Sequence, residues 1–520
     1  MTKLSRRDML KVSAAALGGA AVAALNPSMA RMARAPSAPA RPNILIIVFD
    51  TMSALHLSLY GYGRNTSPNL DRFAGQSIVY HSHYSAANYT TPGTASILTG
   101  LHVWSHRALS PSAPVLRHFT GNNIFRLAGR EYARVAFTQN LMAEMFLRQF
   151  HADIDLHLPP QSFAYKNPLL LGELNPDDPL ASLAFDDFLV GGYKLDAPYA
   201  GSAALGTLDL IVRRGYATHP EVERALQTEI CFNGYFYYKN RLVFEGLHQT
   251  LQRVAGQPNP FFGYFHLWSP HEPYSPTQTF DELFEDKLRI PAKPDHPFAD
   301  PPFHQPAELY RFRRVYDRYI ANVDAEFGRL MDSMAASGIL DNTCVIFLSD
   351  HGQLFERGVH GHASRLLHQP VLRVPLLIHM PGQTKRLDVH APTSNVDLLP
   401  TLASIMDIES EMETDGRLLP GLGGAADETR PLFAMRGMEN PALGPLKTGT
   451  FVLVKERHKL QLFTGYRGLN QQFELYDLES DPEELHDLSA SDAPTARRMQ
   501  DELLTARDAA DRAVLSADRK

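Results

Sequence analysis

Four short runs of consecutive apolar residues stand out along the first 380 residues of the chain. They are Asn43–Phe49, Phe261–Leu267, Cys344–Leu348 and Val374–Met380. None of them alternates apolar with polar positions, as a strand with one face in water would. Unbroken apolar runs are typical of strands buried on both faces of a parallel sheet. We therefore expect these four runs to form the centre of one sheet.

A different period appears between the second and third of these runs. Apolar residues between Leu309 and Met331 recur three and four positions apart, at 309, 312, 316, 319, 320, 323, 327, 330 and 331. That spacing puts them on one face of a helix. Strand, helix and strand in succession predict an α/β fold, with a doubly wound, mostly parallel sheet sandwiched by helices.

Two segments depart from this pattern. Residues 161–241 mix aromatic residues, proline and glycine with short amphipathic pieces, and we interpret them as an insertion that shapes a substrate pocket. Beyond about residue 425, short strands alternate with turns and a polar helix follows over Pro494–Leu515. We therefore expect a catalytic domain over residues 42–424 and a small C-terminal α+β subdomain, an antiparallel sheet with a helix, over residues 425–520.

The amino-terminal residues have the features of a targeting segment. The twin arginine Arg6-Arg7 precedes the apolar stretch Val12–Leu25, and Ser28-Met29-Ala30 offers a small-x-small cleavage site. A membrane anchor is the alternative, but the stretch is shorter than the roughly 20 residues that a spanning helix needs. We expect residues 1–30 to be a signal peptide for the twin-arginine export machinery and residues 31–41 to be a spacer. The mature protein would then be periplasmic or secreted.

The composition argues against a nucleic-acid-binding protein and against a disulfide-stabilised one. Hydrophobic residues make up 44% of the chain and charged residues 21%, which is ordinary for a globular protein. The net charge of -7 provides no basic excess for a nucleic-acid-binding surface, so we expect no nucleic-acid partner. The two cysteines, Cys231 and Cys344, are too few for a disulfide framework and lack metal-ligand spacing. A single bridge between them stays open.

Acidic residues and a histidine follow two of the apolar runs directly. Asp50 comes after the first run, and Asp350 and His351 come one residue after the third. Ligands of parallel α/β sheets bind at the carboxyl ends of the strands, so these side chains are candidates for a divalent-metal site. Either aspartate alone would equally fit the N-cap of a following helix.

The segment Thr90–Gly100 carries a recognisable signature. It resembles the sulfatase family's motif, which reads Cys or Ser, any residue, Pro, Ser, Arg, three residues, Leu, Thr, Gly. Four residues stand in register with that motif: Pro92, Leu98, Thr99 and Gly100. The resemblance covers roughly residues 41–490, and its further elements include Tyr60–Tyr62, Thr66–Asp71, Phe262–Tyr274, Asp324, Ser349–Gly352, Arg373–Ile378 and Glu474–Glu484. It implies a metal-dependent hydrolase of sulfate or phosphate esters in the alkaline-phosphatase superfamily.

Three departures from the family pattern bear on the chemistry. Thr90 stands where a sulfatase keeps its formylglycine, and its methyl group prevents oxidation to an aldehyde, so we expect no formylglycine. Thr94 replaces the supporting Arg, and Thr51 replaces a second Asp. The four candidate ligands that remain, an Asp, a Thr, an Asp and a His, resemble the residues that hold the single metal ion of phosphoethanolamine and lipoteichoic-acid transferases. Those relatives use the Thr oxygen as nucleophile. The resemblance thus implies Asp50, Thr90, Asp350 and His351 as metal ligands.

This chemistry is physically reasonable for a threonine. Its hydroxyl is a poor nucleophile at neutral pH, but a bound metal ion lowers its pKa by several units. We therefore expect Thr90 to form a covalent ester that water releases. His271 suits a hydrogen bond to a substrate oxygen or proton delivery to the leaving group. His362 or His360 is a candidate for the sulfate-contacting Lys of sulfatases or for a second metal site, and Arg357 lies in the same loop.

The expected cofactor is one divalent ion. Nitrogen and oxygen ligands favour Zn2+ or Mn2+, with Ca2+ possible because sulfatases of this fold usually take it. The expected substrate is a small-molecule, glycan or lipid ester. Two other functions stay open: a transferase of a phosphoethanolamine or glycerophosphate type, and a catalytically inactive binding protein.

Overall fold

The four apolar runs all become strands of one eight-stranded sheet in the computed structural model. The structure describes residues 41–165, 231–233, 236–285, 288, 290–299, 301–468 and 471–517. The proposed signal peptide, nearly all of the spacer and most of the proposed insertion lie outside these residues.

Eighteen strands are present in the described residues. They are β1 Asn43–Phe49, β2 Ile78–Tyr80, β3 His83–Tyr84, β4 Ala133–Thr138, β5 Leu156–Leu158, β6 Cys231–Phe232, β7 Tyr237–Tyr238, β8 Phe261–Leu267, β9 Thr343–Ser349, β10 Leu354–Glu356, β11 Val359–Gly361, β12 Leu376–His379, β13 Leu387–Val389, β14 Thr393–Ser394, β15 Leu432–Arg436, β16 Gly449–Lys455, β17 His458–Thr464 and β18 Gln472–Asp477.

The main sheet has the order β13-β2-β12-β9-β1-β8-β4-β5. β1 lies between β8 and β9 and is parallel to both, and Ile44 to Phe49 are fully buried. β12 pairs antiparallel with β9 and with β2, which makes it the reversed strand of this sheet among the described residues. The apolar run Val374–Met380 did not reveal this reversal, because an unbroken apolar run shows burial and not direction.

Ten α-helices lie within the part of the chain that the structure describes. They are α1 Pro68–Ala74, α2 Thr90–Thr99, α3 Val103–His106, α4 Ile124–Ala128, α5 Leu141–Gln149, α6 Asn240–Ala255, α7 Pro306–Ala336, α8 Gln369–Leu372, α9 Leu398–Ile405 and α10 Ala493–Ala517. α7 contains the predicted apolar stripe. A capping box between Gln305 and Glu308, with Pro306 in its first turn, fixes where it begins.

The fold class is confirmed: a large, mostly parallel sheet is flanked by helices. A separate four-stranded antiparallel sheet, β15-β16-β17-β18, is followed by α10. Its architecture is that expected for the C-terminal part of the chain, while the boundary at residue 425 stays a prediction. Cys231 and Cys344 are both buried and free, so the two do not form a bridge. Among the described residues, no helix combines the length and apolarity needed to cross a membrane.

Candidate active site

Strand register places three ionisable side chains at one edge of the main sheet. Phe49 is level with Ser349, so Asp50 and Asp350 follow side by side at the ends of β1 and β9. His266 on β8 is level with Val48, two residues before Asp50. Because side chains two apart on a strand share a face, His266 points to the same side as Asp50.

The ligand-type atoms of this group are spaced as around a single ion. His351 Nε2 lies 3.5 Å from Asp50 Oδ1 and 3.5 Å from Asp350 Oδ2, and His266 Nε2 lies 3.7 Å from Asp350 Oδ2. These distances are too long for hydrogen bonds. Nitrogen and oxygen ligands that each lie about 2.1 Å from a metal ion are separated by roughly 3 to 4 Å. The spacing therefore matches a metal site.

Burial makes the case for a cation stronger. Asp50 Oδ1, Asp350 Oδ2 and His266 Nε2 are buried and have no hydrogen-bond partner. Burial raises the pKa of both carboxyl groups, and for Asp50 the neighbouring Asp350 charge raises it further. Two buried carboxylates without a counter-charge are costly. A divalent ion would neutralise both carboxylates and bind the three unpaired atoms. These residues therefore fit the divalent metal ion that the resemblance to the sulfatase family implies.

The histidines of the site are in a state suited to metal binding. Burial lowers the pKa of His351 to about 3 and that of His266 to about 4, so both rings are neutral near pH 7. His351 Nδ1 lies 3.0 Å from the carbonyl oxygen of Gly352, which can only accept a hydrogen bond. His351 therefore carries its proton on Nδ1, and its Nε2 lone pair faces the carboxylates.

Thr90 lies at the amino end of α2, next to this group. Thr90 Oγ1 is buried and lies 3.5 Å from His351 Nε2. The helix comes close because Gly93 has no side chain: a Cβ there would lie 2.7 Å from the backbone oxygen of Asp350. The amino end of a helix favours negative charge, which suits an oxygen that becomes an alkoxide or an ester.

Asn140 joins the nucleophile candidate to a carboxylate. Its Nδ2 donates to Asp50 Oδ2 at 2.5 Å and to Thr90 Oγ1 at 3.2 Å. The amide cannot turn over freely, because its Oδ1 caps α5 by accepting the backbone N–H of Met142 at 2.8 Å. The Asn140 side chain therefore presents N–H groups, and not its oxygen, to the site.

The backbone after Asp50 is held in an unusual conformation. Thr51 has φ 63°, in the left-handed region that β-branched residues rarely occupy. The Tyr316 hydroxyl donates to the Thr51 carbonyl oxygen at 2.6 Å and accepts the Ser53 N–H at 3.0 Å. Tyr316 thus stabilises the turn that aims Asp50 into the site.

Three imidazole rings form a row that begins at the candidate metal site. The His351 and His362 ring centroids are 4.6 Å apart, and those of His362 and His271 are 4.9 Å apart. His271 Nδ1 donates to the Glu272 carbonyl oxygen at 2.5 Å, which leaves Nε2 for other contacts. Thr90, His271 and His362, predicted from sequence as catalytic, are therefore brought to one site with Asp50, Asp350 and His351.

The other two residues of the predicted loop have different surroundings. His360 stacks on Phe312 with ring centroids 4.2 Å apart and meets the Tyr274 hydroxyl at 3.0 Å. Arg357 is buried, and its guanidinium group binds Glu356 and the backbone carbonyls of Glu483 and Glu484. Arg357 therefore has a structural role, holding this loop to the backbone at Glu483 and Glu484. His362 is the loop histidine that contacts His351.

Sequence reasoning did not identify His266 and Asn140 as functional residues. His266 lies inside the run Phe261–Leu267, where it is the one histidine among apolar and aromatic residues. Asn140 follows β4 by two residues, and that strand is parallel to β8. Its position at a strand's carboxyl end was the available signal. That signal is visible only once Ala133–Thr138 is known to be a strand of the central sheet.

A second group of potential ligands, His296, His368 and Glu474, lies outside this site. His296 Nδ1 accepts the backbone N–H of Phe298 at 3.1 Å, so the neutral ring carries its proton on Nε2. That nitrogen lies 2.8 Å from Glu474 Oε1 and donates to it. With no lone pair left on Nε2, the group is a hydrogen-bonded cluster and does not fit a metal ion.

Comparison with known proteins identifies the family. The family model Sulfatase matches residues 42–408, and that described as N-sulphoglucosamine sulphohydrolase, C-terminal, matches residues 358–509. The chain is 23% identical over 515 residues to the multifunctional alkaline phosphatase superfamily protein PehA of Trinickia caryophylli, covering 88% of this chain and 93% of that protein. It is 25% identical over 481 residues to the choline-sulfatase of Rhizobium meliloti strain 1021, covering 86% and 82%.

Solved structures share the fold. The phosphonate monoester hydrolase of Agrobacterium radiobacter superposes with a TM-score of 0.64 at 21% identity, covering 90% of this chain and 96% of that one. The phosphonate monoester hydrolase from Silicibacter pomeroyi gives a TM-score of 0.63 at 19% identity, covering 90% and 95%. The predicted family is confirmed: the chain belongs to the sulfatase family of the alkaline-phosphatase superfamily and is a sulfuric or phosphoric ester hydrolase.

Proposed function

We propose that this protein hydrolyses phosphorus esters, using Thr90 as the nucleophile and one divalent metal ion. The observation that carries the proposal is that Asp50, His266 and Asp350 bring unpaired ligand atoms together beside Thr90, while His351 Nε2 lies 3.5 Å from both carboxylates and from Thr90 Oγ1. Two imidazoles and two carboxylates favour Zn2+ or Mn2+ over Ca2+, which prefers an all-oxygen set.

The bound ion would lower the pKa of the Thr90 hydroxyl and offset negative charge on the ester oxygens. Thr90 Oγ attacks the phosphorus atom, the bond to the leaving oxygen breaks, and an ester of Thr90 is formed. Asn140 Nδ2 positions Thr90 Oγ for this attack. The Thr90 proton leaves to solvent, and His271 Nε2, whose lone pair is free because Nδ1 holds the ring proton, takes up a proton from solvent and passes it to the leaving oxygen.

The residue at position 90 supports phosphorus over sulfur chemistry. A threonine cannot be converted to formylglycine, and Thr94 replaces the arginine that accompanies that group in sulfatases. Two phosphonate monoester hydrolases are among the solved structures with this fold, and the relatives also include a choline-sulfatase. We therefore expect phosphate diesters or phosphonate esters to be better substrates than sulfate esters.

A panel of chromogenic esters tests this function. The purified protein, supplied with Mn2+ or Zn2+, is given aryl phosphate, phosphodiester, phosphonate and sulfate esters, and at least one phosphorus ester should be turned over. Thr90→Ala should abolish turnover, while Thr90→Ser should retain part of it because the hydroxyl survives. Turnover of sulfate esters alone would contradict the phosphorus preference. No turnover by a folded, metal-loaded protein would favour a binding function instead.

We also propose that the protein is exported through the twin-arginine route. Replacing both Arg6 and Arg7 by Lys should leave the precursor in the cytoplasm, because that machinery requires the arginine pair. Fractionation of cells that express each form measures the result. Normal export of the double variant would point to the general secretory route.

A further inference from the structure

His362 is held by a chain of hydrogen bonds that none of the proposed catalytic steps uses. Its Nδ1 lies 2.8 Å from Gln353 Oε1, an atom that can only accept a hydrogen bond. The His362 ring is therefore protonated at Nδ1 when neutral, and its Nε2 carries a lone pair.

The direction of the Gln353 amide is itself fixed. Gln353 Nε2 donates to Glu272 Oε2 at 2.6 Å and to the Tyr274 hydroxyl at 2.7 Å. Turning the amide over would place its oxygen 2.6 Å from the Glu272 carboxylate, which is repulsive. Glu272 therefore determines which atom of Gln353 meets His362.

The Glu272 carboxylate is well suited to this role. Its burial alone would raise its pKa, but nearby His271 and the hydrogen bond from the Gln353 amide hold the pKa below its usual value. Glu272 is thus ionised at neutral pH and accepts hydrogen bonds only. The His362 backbone is fixed as well, because Asn88 Nδ2 donates to the carbonyl oxygens of His362 and Ser364 at 2.7 Å each.

We propose that Glu272 and Gln353 are positioning residues that make His362 the base for the second half of the reaction, the hydrolysis of the Thr90 ester. This inference rests on the proposed function. Water forms the new bond to phosphorus and gives its proton to His362 Nε2. The bond from phosphorus to Thr90 Oγ breaks and the oxygen keeps the electron pair; His362 releases its proton to solvent, and Thr90 Oγ takes up a proton from solvent. Thr90 and His362 both return to their starting states.

The ring row described above supports this assignment. His362 lies between His351, which is adjacent to Thr90, and His271, the residue proposed to act on the leaving group. Water must attack from the side on which the leaving group departed, and His362 is in ring contact with His271, the residue proposed to act there. His362 is the one of the three rings whose Nδ1 is fixed by a side-chain amide, while those of His351 and His271 are fixed by backbone carbonyls. Its basicity can therefore be changed by mutation without altering the backbone.

Pre-steady-state kinetics separates this role from a general loss of structure. In His362→Gln, the first release of alcohol should stay fast, whereas steady-state kcat should fall by about 10² or more, as for loss of a general base. Because kcat/KM reports the first step, it should change little. Gln353→Met, which keeps the side chain's length but not its hydrogen bonds, should show the same pattern with a fall of about 10-fold or more, as for residues that orient a reacting group. Quenched samples of both variants should accumulate protein that carries the transferred group.

Two further variants test the hydrogen-bond chain itself. Gln353→Glu alone places a second carboxylate against Glu272 and should impair kcat. Combining it with Glu272→Gln restores the chain, since the new carboxylate accepts from His362 Nδ1 and from the new amide, and kcat should recover. Gln149→Met is the control, because this half-buried glutamine bonds Val115 and Thr120 outside the site. It should leave kcat unchanged.

The outcomes are distinguishable. Wild-type kcat in Gln353→Met would overturn the positioning role while leaving the proposed function intact. A double variant of Gln353→Met and His362→Gln should be no slower than His362→Gln, whereas additive losses would show that Gln353 does not act through His362 and would overturn the inference. If the wild-type protein turned over no ester, the proposed function and this inference would both fail.

Discussion

Thr90 Oγ1 lies 3.5 Å from His351 Nε2. One belongs to the first turn of a helix and the other to the loop after a central strand, 261 residues later in the chain. The contact requires Gly93, because any side chain there would meet the backbone of Asp350. The juxtaposition of a hydroxyl with a neutral imidazole and two buried carboxylates is the basis of the proposed chemistry.

Metal content is the first prediction. The purified protein should bind about one divalent ion per chain, because one group of ligand atoms fits an ion. Asp350→Ala should lose the ion, since it removes a charged ligand. Elemental analysis of both proteins measures this, with Asp324→Ala as the control that keeps the metal. Equal metal content in wild type and Asp350→Ala would contradict the site.

Asn140 should contribute to rate more than to stability. Asn140→Ser keeps a side-chain acceptor for the cap of α5 but loses the bonds to Asp50 and Thr90. We expect kcat to fall by about 10- to 100-fold, as for other residues that orient a reacting group, with little change in melting temperature. Steady-state kinetics and thermal unfolding of the metal-loaded variant measure the two effects. Unchanged kcat would show that the amide is structural only.

Asp324 on α7 should stabilise the fold without affecting the metal. Its carboxylate accepts the backbone N–H groups of Asn69 and Leu70 at 2.9 and 2.8 Å, at the start of α1, whose own N-cap Ser67 makes no capping bond. Asp324→Ala should lower the free energy of unfolding by about 1–3 kcal/mol, since buried N–H groups lose their acceptor. Asp332→Ala, an exposed change on the same helix, should have a much smaller effect. Denaturant titration compares them, and equal losses would contradict the capping role.

Acid should destabilise the protein below about pH 6.5, where an unfolded-state histidine gains its proton. Burial lowers the pKa of His83 to about 4 in the fold. Its stabilising contribution is therefore complete above the unfolded-state pKa and is lost as pH falls from there toward 4, at up to about 1.4 kcal/mol per pH unit. His83→Asn should unfold with a smaller pH slope than wild type over this interval. Parallel slopes in urea titrations across pH would contradict the assignment.

The main architecture could be predicted because buried parallel strands are marked by unbroken apolar runs. Asn43–Phe49 and Phe261–Leu267 were identified in this way, and the 3.6-residue period located α7. The direction of β12 could not be predicted, since apolarity reports burial alone. The short strand Ala133–Thr138 contains an arginine and a threonine and gave no such signal, and so its position next to β8 was missed.

Some residues of the candidate site could likewise be predicted from the sequence, and others could not. Asp50, Asp350 and His351 directly follow recognised strands, and Thr90 lies in a recognisable motif, so sequence located all four. His266 lies inside a strand, and its orientation depends on register with Val48, which only the paired sheet shows. The Glu272–Gln353–His362 chain joins residues up to 90 positions apart through side-chain atoms, and no spacing rule predicts it.

The covalent state of Thr90 during turnover tests the account most directly. Wild-type protein loaded with Mn2+ or Zn2+ is mixed with an aryl phosphorus ester, quenched in acid within the first turnovers, digested and analysed by peptide mass spectrometry. We expect a peptide that contains Thr90 and carries the phosphorus group of the substrate, and no such peptide in Thr90→Ala. Turnover with an unmodified Thr90, or with the group attached to a different residue, would contradict it.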